Sequence, residues 1–325
     1  MVYSRRFWIE SLAALLAAGS LAGHAVAQGN PTKPITIFVA YPVGGPADRI
    51  ARSIGEIMAP RLRQPVLIES KPGAGGQIAA ASVLSAPADG HALLLADTST
   101  LGINSAVYPK FSYKPLQDFE AVAPLMEMPM VLYVPAASPY NTLAELIAAS
   151  RTKSLNYASQ GPGSIGHVLG ETLNAETDAK SNHVPYKGGA QSMLAVLSGQ
   201  VDFLFGGFGE GLQHVKAGKL KMLAVAGPKR LVQAPDLPTT VESGLGKVDL
   251  SLWFGIVVRT GTAAPIVKRL HAEIEHAIGL PQVANGFTEL GFRIMTMPVG
   301  TFAAFIKAES EKSAALVKAR NISLD

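Results

Sequence analysis

The sequence has no cysteine, no block of like charges, and no long apolar run beyond its first residues. Without cysteine, disulfides and zinc sites built on thiolates are excluded. The net charge of +4 is spread along the 325 residues, which argues against binding to nucleic acid. The seven histidines are scattered, and His271 and His276 miss the spacing of a helical zinc motif. We therefore expect no metal and no cofactor.

Catalytic motifs are also lacking. No phosphate-binding P-loop is present, and Ile78 stands where a dinucleotide loop starting at Gly73 needs glycine or alanine. Around Ser164, Pro162 replaces the first glycine of a nucleophile elbow. Ser164 and His167 are three residues apart, without a signalled acid partner, and a serine that opens a helix is usually its N-cap. We expect no enzyme, and an exported serine hydrolase is the alternative.

The first 27 residues are predicted to be a signal peptide. Arg5-Arg6 precede an apolar run at 12–18, which is shorter than the ~20 residues of a membrane-spanning helix. A small-x-small sequence at 25–27 predicts cleavage before Gln28, and the arginine pair favours twin-arginine export. An uncleaved anchor is the alternative. We expect the mature protein in the periplasm.

The rest of the chain alternates between strand-like and helix-like segments. The clearest strands are ITIFVAY (35–41), MVLYVP (130–135) and LKMLAV (220–225), and Thr142 with Glu145 predicts a capping box. Glycine-containing turns join strands to helices. The pattern is typical of an α/β fold with mainly parallel sheets and flanking helices.

Two such series predict two domains. The first comprises residues 28–128 plus 249–325 and is therefore discontinuous, and the second comprises residues 129–248. We expect a monomer.

Three glycine-containing turns lead from a strand directly into a helix: YPVGGPAD (41–48), SQGPGS (159–164) and YKGGA (186–190). Each following helix presents free N–H groups and the positive end of its dipole, with Asp48 and Ser164 as expected caps. Ligands bind at such strand ends in open α/β sheets. If the turns share one cleft, the cleft suits an anion, especially a carboxylate. The alternative is that they are ordinary connections.

The magnitudes require more than helix dipoles. One helix N-terminus contributes roughly 0.3–1 kcal/mol, whereas micromolar binding needs about 8 kcal/mol. Charge-assisted hydrogen bonds of roughly 1.5–3 kcal/mol each must supply the remainder. Such bonds need a cleft that closes and excludes water, as two hinged domains can provide.

At these same segments the chain resembles the substrate-binding proteins of tripartite tricarboxylate transporters, also called Bug receptors. The resemblance covers nearly all of the mature chain and depends on the order and spacing of blocks such as YPVGGPADRIAR, ESKPGAGGQIAAA, SQGPGSIGHVLGE, HVPYKGGAQSMLAVLSGQVDF and WFGIVVRTGTAAPIVKRL. It implies a periplasmic type II solute-binding fold, in which two domains close over a small organic carboxylate. The ligand would then pass to the membrane components of a transporter. A sensor for a membrane signalling partner is the alternative.

The resemblance also implies ligand-binding residues. They are Tyr41, Gly44, Gly45, Ala47 and Asp48 in the first domain, Ser99 and Thr100 at the cleft edge, and Gln160, Ser164, His167, Tyr186, Lys187, Gly188 and Gly189 in the second domain. We expect the N–H groups of Ala47, Gly188 and Gly189 to bind carboxylate oxygens, directly or through water. The two tyrosines would wall the cleft, and Lys187 would add charge or remain solvated.

The chain departs from the family pattern at two places. Val43, Pro46 and Ala47 replace a proline and two hydroxyl residues of the first loop, and Gly206 stands where an aspartate is frequent. These changes favour a ligand that depends less on hydroxyl contacts, such as an aromatic or longer-chain acid, and disfavour one with an amine.

Overall fold

The computed structural model describes residues 31–108 and 110–322, so the predicted signal peptide lies outside the described residues. Two β-sheets with flanking helices make up this part of the chain. No helix within it is long and apolar enough to cross a membrane.

The first sheet has six strands in the order β11-β4-β10-β3-β1-β2. Their bounds are β1 (Ile35–Val39), β2 (Val66–Ser70), β3 (Ala92–Asp97), β4 (Phe119–Met128), β10 (Leu252–Arg259) and β11 (Arg293–Ile294). β1 pairs in parallel with β2 and β3, whereas β10 is antiparallel to β3 and to β4.

The second sheet has five strands in the order β7-β6-β8-β5-β9. Their bounds are β5 (Met130–Pro135), β6 (Asn156–Ser159), β7 (Asn182–Pro185), β8 (Phe203–Gly207) and β9 (Leu220–Val225). β6 pairs in parallel with β7 and β8, and β5 is antiparallel to β8 and β9.

Nine helices of eight or more residues flank the sheets within the described ranges. They are α1 (Pro46–Leu62), α2 (Gln77–Ser85), α3 (Leu143–Thr152), α4 (Ile165–Thr177), α5 (Gly189–Leu197), α6 (Phe208–Lys216), α7 (Ala264–Gly279), α8 (Pro281–Glu289) and α9 (Val299–Ala319). Shorter helical turns cover Ala74–Gly76, Ser99–Ile103, Asn104–Val107 and Pro115–Asp118.

The α/β class is confirmed, with the difference that both sheets are mixed rather than mainly parallel. The chain passes from one sheet to the other at two crossovers, one between β4 and β5 and one between β9 and β10. β5 and β10 enter their sheets at the edge where the parallel strands end, so they must run antiparallel to those strands. The two predicted domains stay a prediction; the sheets themselves draw on 35–128 with 252–294 and on 130–225.

Both faces of the central parallel strands β3 and β8 are buried, which explains their nearly continuous hydrophobic runs. On β1, Ile35, Ile37 and Val39 are fully buried and belong to the same cluster as Ile50 and Ile54 of α1. A second cluster joins strands β5, β6 and β8 to helices α3 and α4. This packing fixes the strand ends from which the glycine turns leave.

The sequence patterns did not predict β4. Its ten-residue run contains Pro124, which has no N–H to donate and normally argues against an internal strand. Pro124 lies opposite Gly255 beside a register shift, so the ladder is already interrupted where the proline sits. Helix α8 was also not predicted.

The two crossovers connect the sheets at the edges where their parallel strands end. Leu252 pairs with Met128, and Phe254 pairs with Asp97 at the carboxyl end of β3, so β4 ends at the edge where the parallel strands end. In the second sheet, Met130 pairs with Gly207 at the carboxyl end of β8. Only Pro129 separates β4 from β5. The carboxyl edges of both sets of parallel strands are therefore connected through one residue.

Candidate functional site

The first turn follows β1 and is tied to the end of β3. The Tyr41 hydroxyl donates a hydrogen bond to Oδ2 of Asp97, which is 0% exposed. Burial raises the pKa of both groups, and the nearby Asp97 charge raises the pKa of Tyr41 further. Tyr41 is partly buried, as expected of a residue in a cleft wall. Asp97 was not predicted, although it directly follows the apolar run of β3.

Ser99 and Thr100 lie in a helical turn that Asp97 caps. Oδ1 of Asp97 accepts hydrogen bonds from the N–H and the hydroxyl of Thr100, at 2.8 and 2.9 Å. Thr100 is buried, and its carbonyl accepts a bond from the Tyr113 hydroxyl at 2.6 Å. Ser99 is partly exposed. The shared carboxylate therefore brings the predicted cleft-edge segment to Tyr41.

Asp48 is not the N-cap that the sequence predicted. Helix α1 begins at Pro46 with Gly45 as its N-cap, because proline suits the first helical position, and Asp48 comes third. Its carboxylate accepts a bond from the Gly44 N–H at 2.9 Å and pairs with Arg52, also at 2.9 Å. The Arg52 bond, the stronger influence, lowers the pKa of Asp48, and the Gly44 bond lowers it too. Asp48 thus fixes the turn, with only 2% of its surface exposed.

Gln160 connects the two glycine turns of the second sheet. Its side-chain amide donates to the Phe205 carbonyl at 3.0 Å. The main-chain carbonyl of Gln160 accepts from the Gly188 N–H at 3.2 Å. The Tyr186 N–H donates to Ser159 at 3.1 Å. The structure therefore brings Gln160, Tyr186 and Gly188 together.

The expected role of Gly188 needs correction, because its N–H is already bonded to Gln160. The N–H groups of Ala47 and Gly189 have no partner among the described residues, and each lies in the first turn of a helix, α1 and α5 respectively. Both N–H groups can still donate hydrogen bonds to an anion. Lys187 is exposed, and its N–H donates to the Gln191 side chain at 3.1 Å.

Ser164 is the N-cap of α4, as predicted. Its hydroxyl accepts from the His167 N–H at 3.4 Å, while Nδ1 of His167 accepts from the Gly163 N–H at 3.0 Å. These bonds fix the turn between β6 and α4. Nδ1 of His167 therefore accepts its hydrogen bond from the main chain and not from the Ser164 hydroxyl.

His167 stacks on His183 of β7. The ring centroids are 3.8 Å apart and the planes differ by 8°. Burial lowers the pKa of both rings, and burial together with the neighbouring His167 lowers that of His183 to about 4. Ser159 Oγ lies 2.6 Å from His183 Nε2, but Ser159 is 0% exposed and cannot meet a substrate. The two stacked, neutral rings therefore hold the turn between β6 and α4 in place and have no assigned catalytic role.

Glu210 is a further acid that the sequence patterns did not identify. It lies in the first turn of α6, and a Cβ placed on Gly189 would be 3.0 Å from its Oε1. Gly206 replaces the aspartate that is frequent in the family, but Glu210 places a carboxyl group beside Gly189. The sequence signal was present, because Glu210 stands three residues after Gly207 in a turn of the same strand–glycine–helix type.

The predicted residues form two groups, one at the carboxyl edge of each sheet. Tyr41, Gly44, Gly45, Ala47, Asp48, Ser99 and Thr100 follow β1 and β3. The second group, Gln160, Ser164, His167, Tyr186, Lys187, Gly188 and Gly189, follows β6 and β7. All three glycine turns thus lie at the edges that the crossovers connect. This arrangement of two sheets, with glycine turns at their connected edges, is the fold of periplasmic binding proteins.

The family model for the tripartite tricarboxylate transporter family receptor matches residues 50–322. The chain belongs to this family, whose members are periplasmic solute receptors and not enzymes. The resemblance noted in the sequence is confirmed.

Relatives in the same family align over most of their length. A UPF0065 protein from the tcbD-tcbE intergenic region of a Pseudomonas strain is 33% identical over 285 residues, which are 87% of this chain and 84% of the relative. BugT of Bordetella pertussis is 29% identical over 306 residues, 93% of this chain and 94% of the relative.

Solved structures confirm the fold. MatC (Rpa3494) from Rhodopseudomonas palustris, with bound malate, has a TM-score of 0.77 and 32% identity, covering 88% of this chain and 99% of MatC. R. palustris Rpa4515, with adipate, has a TM-score of 0.81 and 27% identity, covering 90% and 99%. The type II periplasmic binding fold expected from the sequence is therefore the fold of this chain.

Proposed function

We propose that this receptor binds a small organic carboxylate between its two sheets and delivers it to the membrane components of a tripartite tricarboxylate-type transporter. The observation that carries the proposal is the position of the three glycine turns. Each opens a helix at a carboxyl edge, and the crossovers connect these edges. The malate and adipate held by two related structures support the class of ligand.

The proposed contacts follow from the bonds already described. The free N–H groups of Ala47 and Gly189 face the ligand, one from each sheet. Ser164 adds its hydroxyl, and Tyr41 forms a wall of the cleft. Hydrogen bonds to an anion contribute roughly 1.5–3 kcal/mol each, so three or four of them account for micromolar affinity.

The proposal places the protein in the periplasm after removal of residues 1–27. Domain closure between residues 28–128 plus 249–325 and residues 129–248 would remove water from the carboxylate. Membership of a receptor family supports binding without turnover.

Thermal melting of the mature chain against a panel of acids tests the proposal. The panel contains malate, adipate, aspartate and benzoate, with the corresponding amides as uncharged controls. A ligand at 100 times its Kd stabilises the native state by about 2.7 kcal/mol. We expect stabilisation by at least one acid, none by its amide, and recovery of the acid unchanged. Conversion of the ligand, or equal stabilisation by the amide, would contradict the proposal.

Transport and sensing are separated by a second measurement. The protein is added to vesicles that contain the membrane components of the transporter, and uptake of the bound acid is followed. Uptake that requires the receptor supports delivery. Binding without any uptake favours the sensor.

A further inference from the structure

Glu210 lies where the starts of two helices meet. Its Oε2 accepts a hydrogen bond from the Gly207 N–H at 3.2 Å, which caps α6. Its Oε1 lies beside Gly189, the first residue of α5, because a Cβ added to Gly189 would be 3.0 Å from this oxygen. One oxygen of the carboxyl is thus engaged with the main chain, and the other is beside the glycine turn of the proposed site.

The surroundings of Glu210 lack a compensating cation. The side chain is open to water, yet protein encloses it closely enough that burial raises its pKa. The titratable group that faces it is Tyr133 of β5, whose hydroxyl donates to Phe208 at 2.9 Å. Among residues 31–108 and 110–322, no lysine, arginine or histidine forms an ion pair with Glu210.

The proposed function brings a second carboxylate to this position. An anion that binds the free Gly189 N–H comes close to Oε1 of Glu210. Two carboxylates at such a distance do not both stay ionised, because their repulsion favours protonation of one of them. Glu210 is the one already disposed to hold a proton.

We propose that Glu210 is a specificity-determining residue that meets the ligand in its protonated form and donates a hydrogen bond from Oε1 to the ligand carboxylate. The inference depends on the proposed function. The proton is taken from solvent when the ligand binds and is returned when the ligand leaves. A ligand that carries an ammonium group at this position would instead pair with the ionised form and would take up no proton.

Proton uptake has a definite pH dependence. Above the pKa of Glu210 in the empty protein, the affinity for the carboxylate falls about tenfold for each unit of pH. His167, the titratable group of the neighbouring turn, does not interfere, since burial lowers its pKa and it stays neutral in this range.

Calorimetry of the full mature chain measures the uptake directly. Malate, adipate and the tightest-binding acid of the panel are titrated at pH 8 in phosphate and in Tris. The difference in heat between these buffers gives the number of protons bound. We expect close to one proton per ligand for the wild-type protein.

Two variants isolate the residue. Glu210→Gln replaces the neutral acid by an amide that also donates, so we expect binding at least as tight as wild type at pH 8, without proton uptake and without pH dependence. Glu145→Gln is the matched control. Glu145 holds the same third position in α3 and also caps its helix, but at a distance in sequence from the turns. It should leave the uptake at one proton.

The outcomes distinguish this inference from the proposed function. Wild-type binding without proton uptake overturns the role of Glu210 and leaves the receptor function in place. The role of Glu210 is likewise overturned if the wild-type protein binds only amine-bearing acids and Glu210→Gln loses more than tenfold in affinity for them. The receptor function again stays in place. A wild-type protein that binds no acid of the panel contradicts both proposals.

Discussion

At the residue scale, the second-sheet turn depends on the backbone of Gly188. Its φ of +99° and ψ of 175° lie in a region that only glycine adopts without strain. A Cβ there would meet no atom within 4 Å, so the cost of a substitution is conformational and not steric. The same residue positions the free N–H of Gly189.

Gly188→Val should therefore weaken ligand binding at least tenfold and leave the fold intact. A β-branched residue would relax out of the required φ and turn the Gly189 N–H away, at a cost of about 1–3 kcal/mol in stability. Isothermal titration with the best acid of the panel measures the binding. Unaltered affinity would show that this turn does not hold the ligand.

Gly199→Val is the matched control. Gly199 also has positive φ, at +71°, and also has nothing within 4 Å of an added Cβ. It differs from Gly188 in lying after the C-terminal end of α5, and not before its start. It should reduce stability by a similar amount and leave affinity at the wild-type value.

The stacked histidines make stability sensitive to acid. The pKa of His183 is about 4 in the folded protein, below its ordinary 6.5, so protonation favours the unfolded chain. The contribution of neutral His183 to the free energy of unfolding is complete above pH 6.5 and is lost as the pH falls toward 4. Allowing for partial exposure, we expect about 2 kcal/mol between pH 7 and pH 4.5.

Urea unfolding at those two pH values, on wild type and His183→Phe, checks this prediction. The phenyl ring keeps a stacking partner for His167 but does not titrate. The variant should lose less stability than wild type on acidification. Equal losses in both proteins would show that His183 is not the group responsible.

At the element scale, the helix caps separate stability from binding. Ser164 caps α4 at the proposed site, and Thr142 caps α3 away from it, each through a side-chain hydroxyl. Both Ser164→Ala and Thr142→Ala should lower the free energy of unfolding by about 1 kcal/mol. Only Ser164→Ala should also weaken ligand binding, because only the Ser164 hydroxyl lies in a turn of the proposed site.

Denaturant titration and calorimetry on the two variants provide the comparison. If Thr142→Ala weakened binding as much as Ser164→Ala, the effect would come from general loosening of the second sheet. The hydroxyl of Ser164 would then have no part in recognition.

The sequence predicted elements well where local signals agree. β5 and β9 have the predicted bounds, and the predicted capping box of α3 is present, since each pattern is complete within a few residues. β4 escaped prediction because the register shift that accommodates Pro124 is formed with β10, far along the chain. The glycine turns could be predicted for the same reason as β5 and β9, because each turn is a pattern complete within a few residues.

The site contacts were less predictable than the site residues. Asp97 meets Tyr41 across 56 positions, and Glu210 meets Gly189 through the packing of two helices. Neither contact leaves a periodic or spaced pattern. The bond between the Gly188 N–H and Gln160 was hidden for the same reason, and the expected donor role of Gly188 was therefore wrong.

At the scale of the whole molecule, the crossovers suggest how the proposed cleft closes. Pro129 alone separates β4 from β5, and residues 226–251 form the second connection. Few residues need to change conformation for one sheet to rotate against the other. We expect the radius of gyration in solution scattering to decrease when the best acid of the panel saturates the protein.

Gly188→Val provides the reference for that measurement. At the same acid concentration, its radius of gyration should stay at the value of the empty wild-type protein. An identical radius for empty and saturated wild type would mean that the sheets do not close on the ligand.

The insertion of β10 between β3 and β4 affects the order of synthesis. All strands of the second sheet lie between residues 130 and 225, so a growing chain can complete that sheet early. The first sheet must wait for residues 252–259, the strand between β3 and β4, although β1 to β4 are all made before residue 129. The N-terminal strands of this polypeptide therefore remain without their central neighbour until biosynthesis is nearly finished, which is the interval in which a chaperone that shields an unpaired strand edge has most to protect.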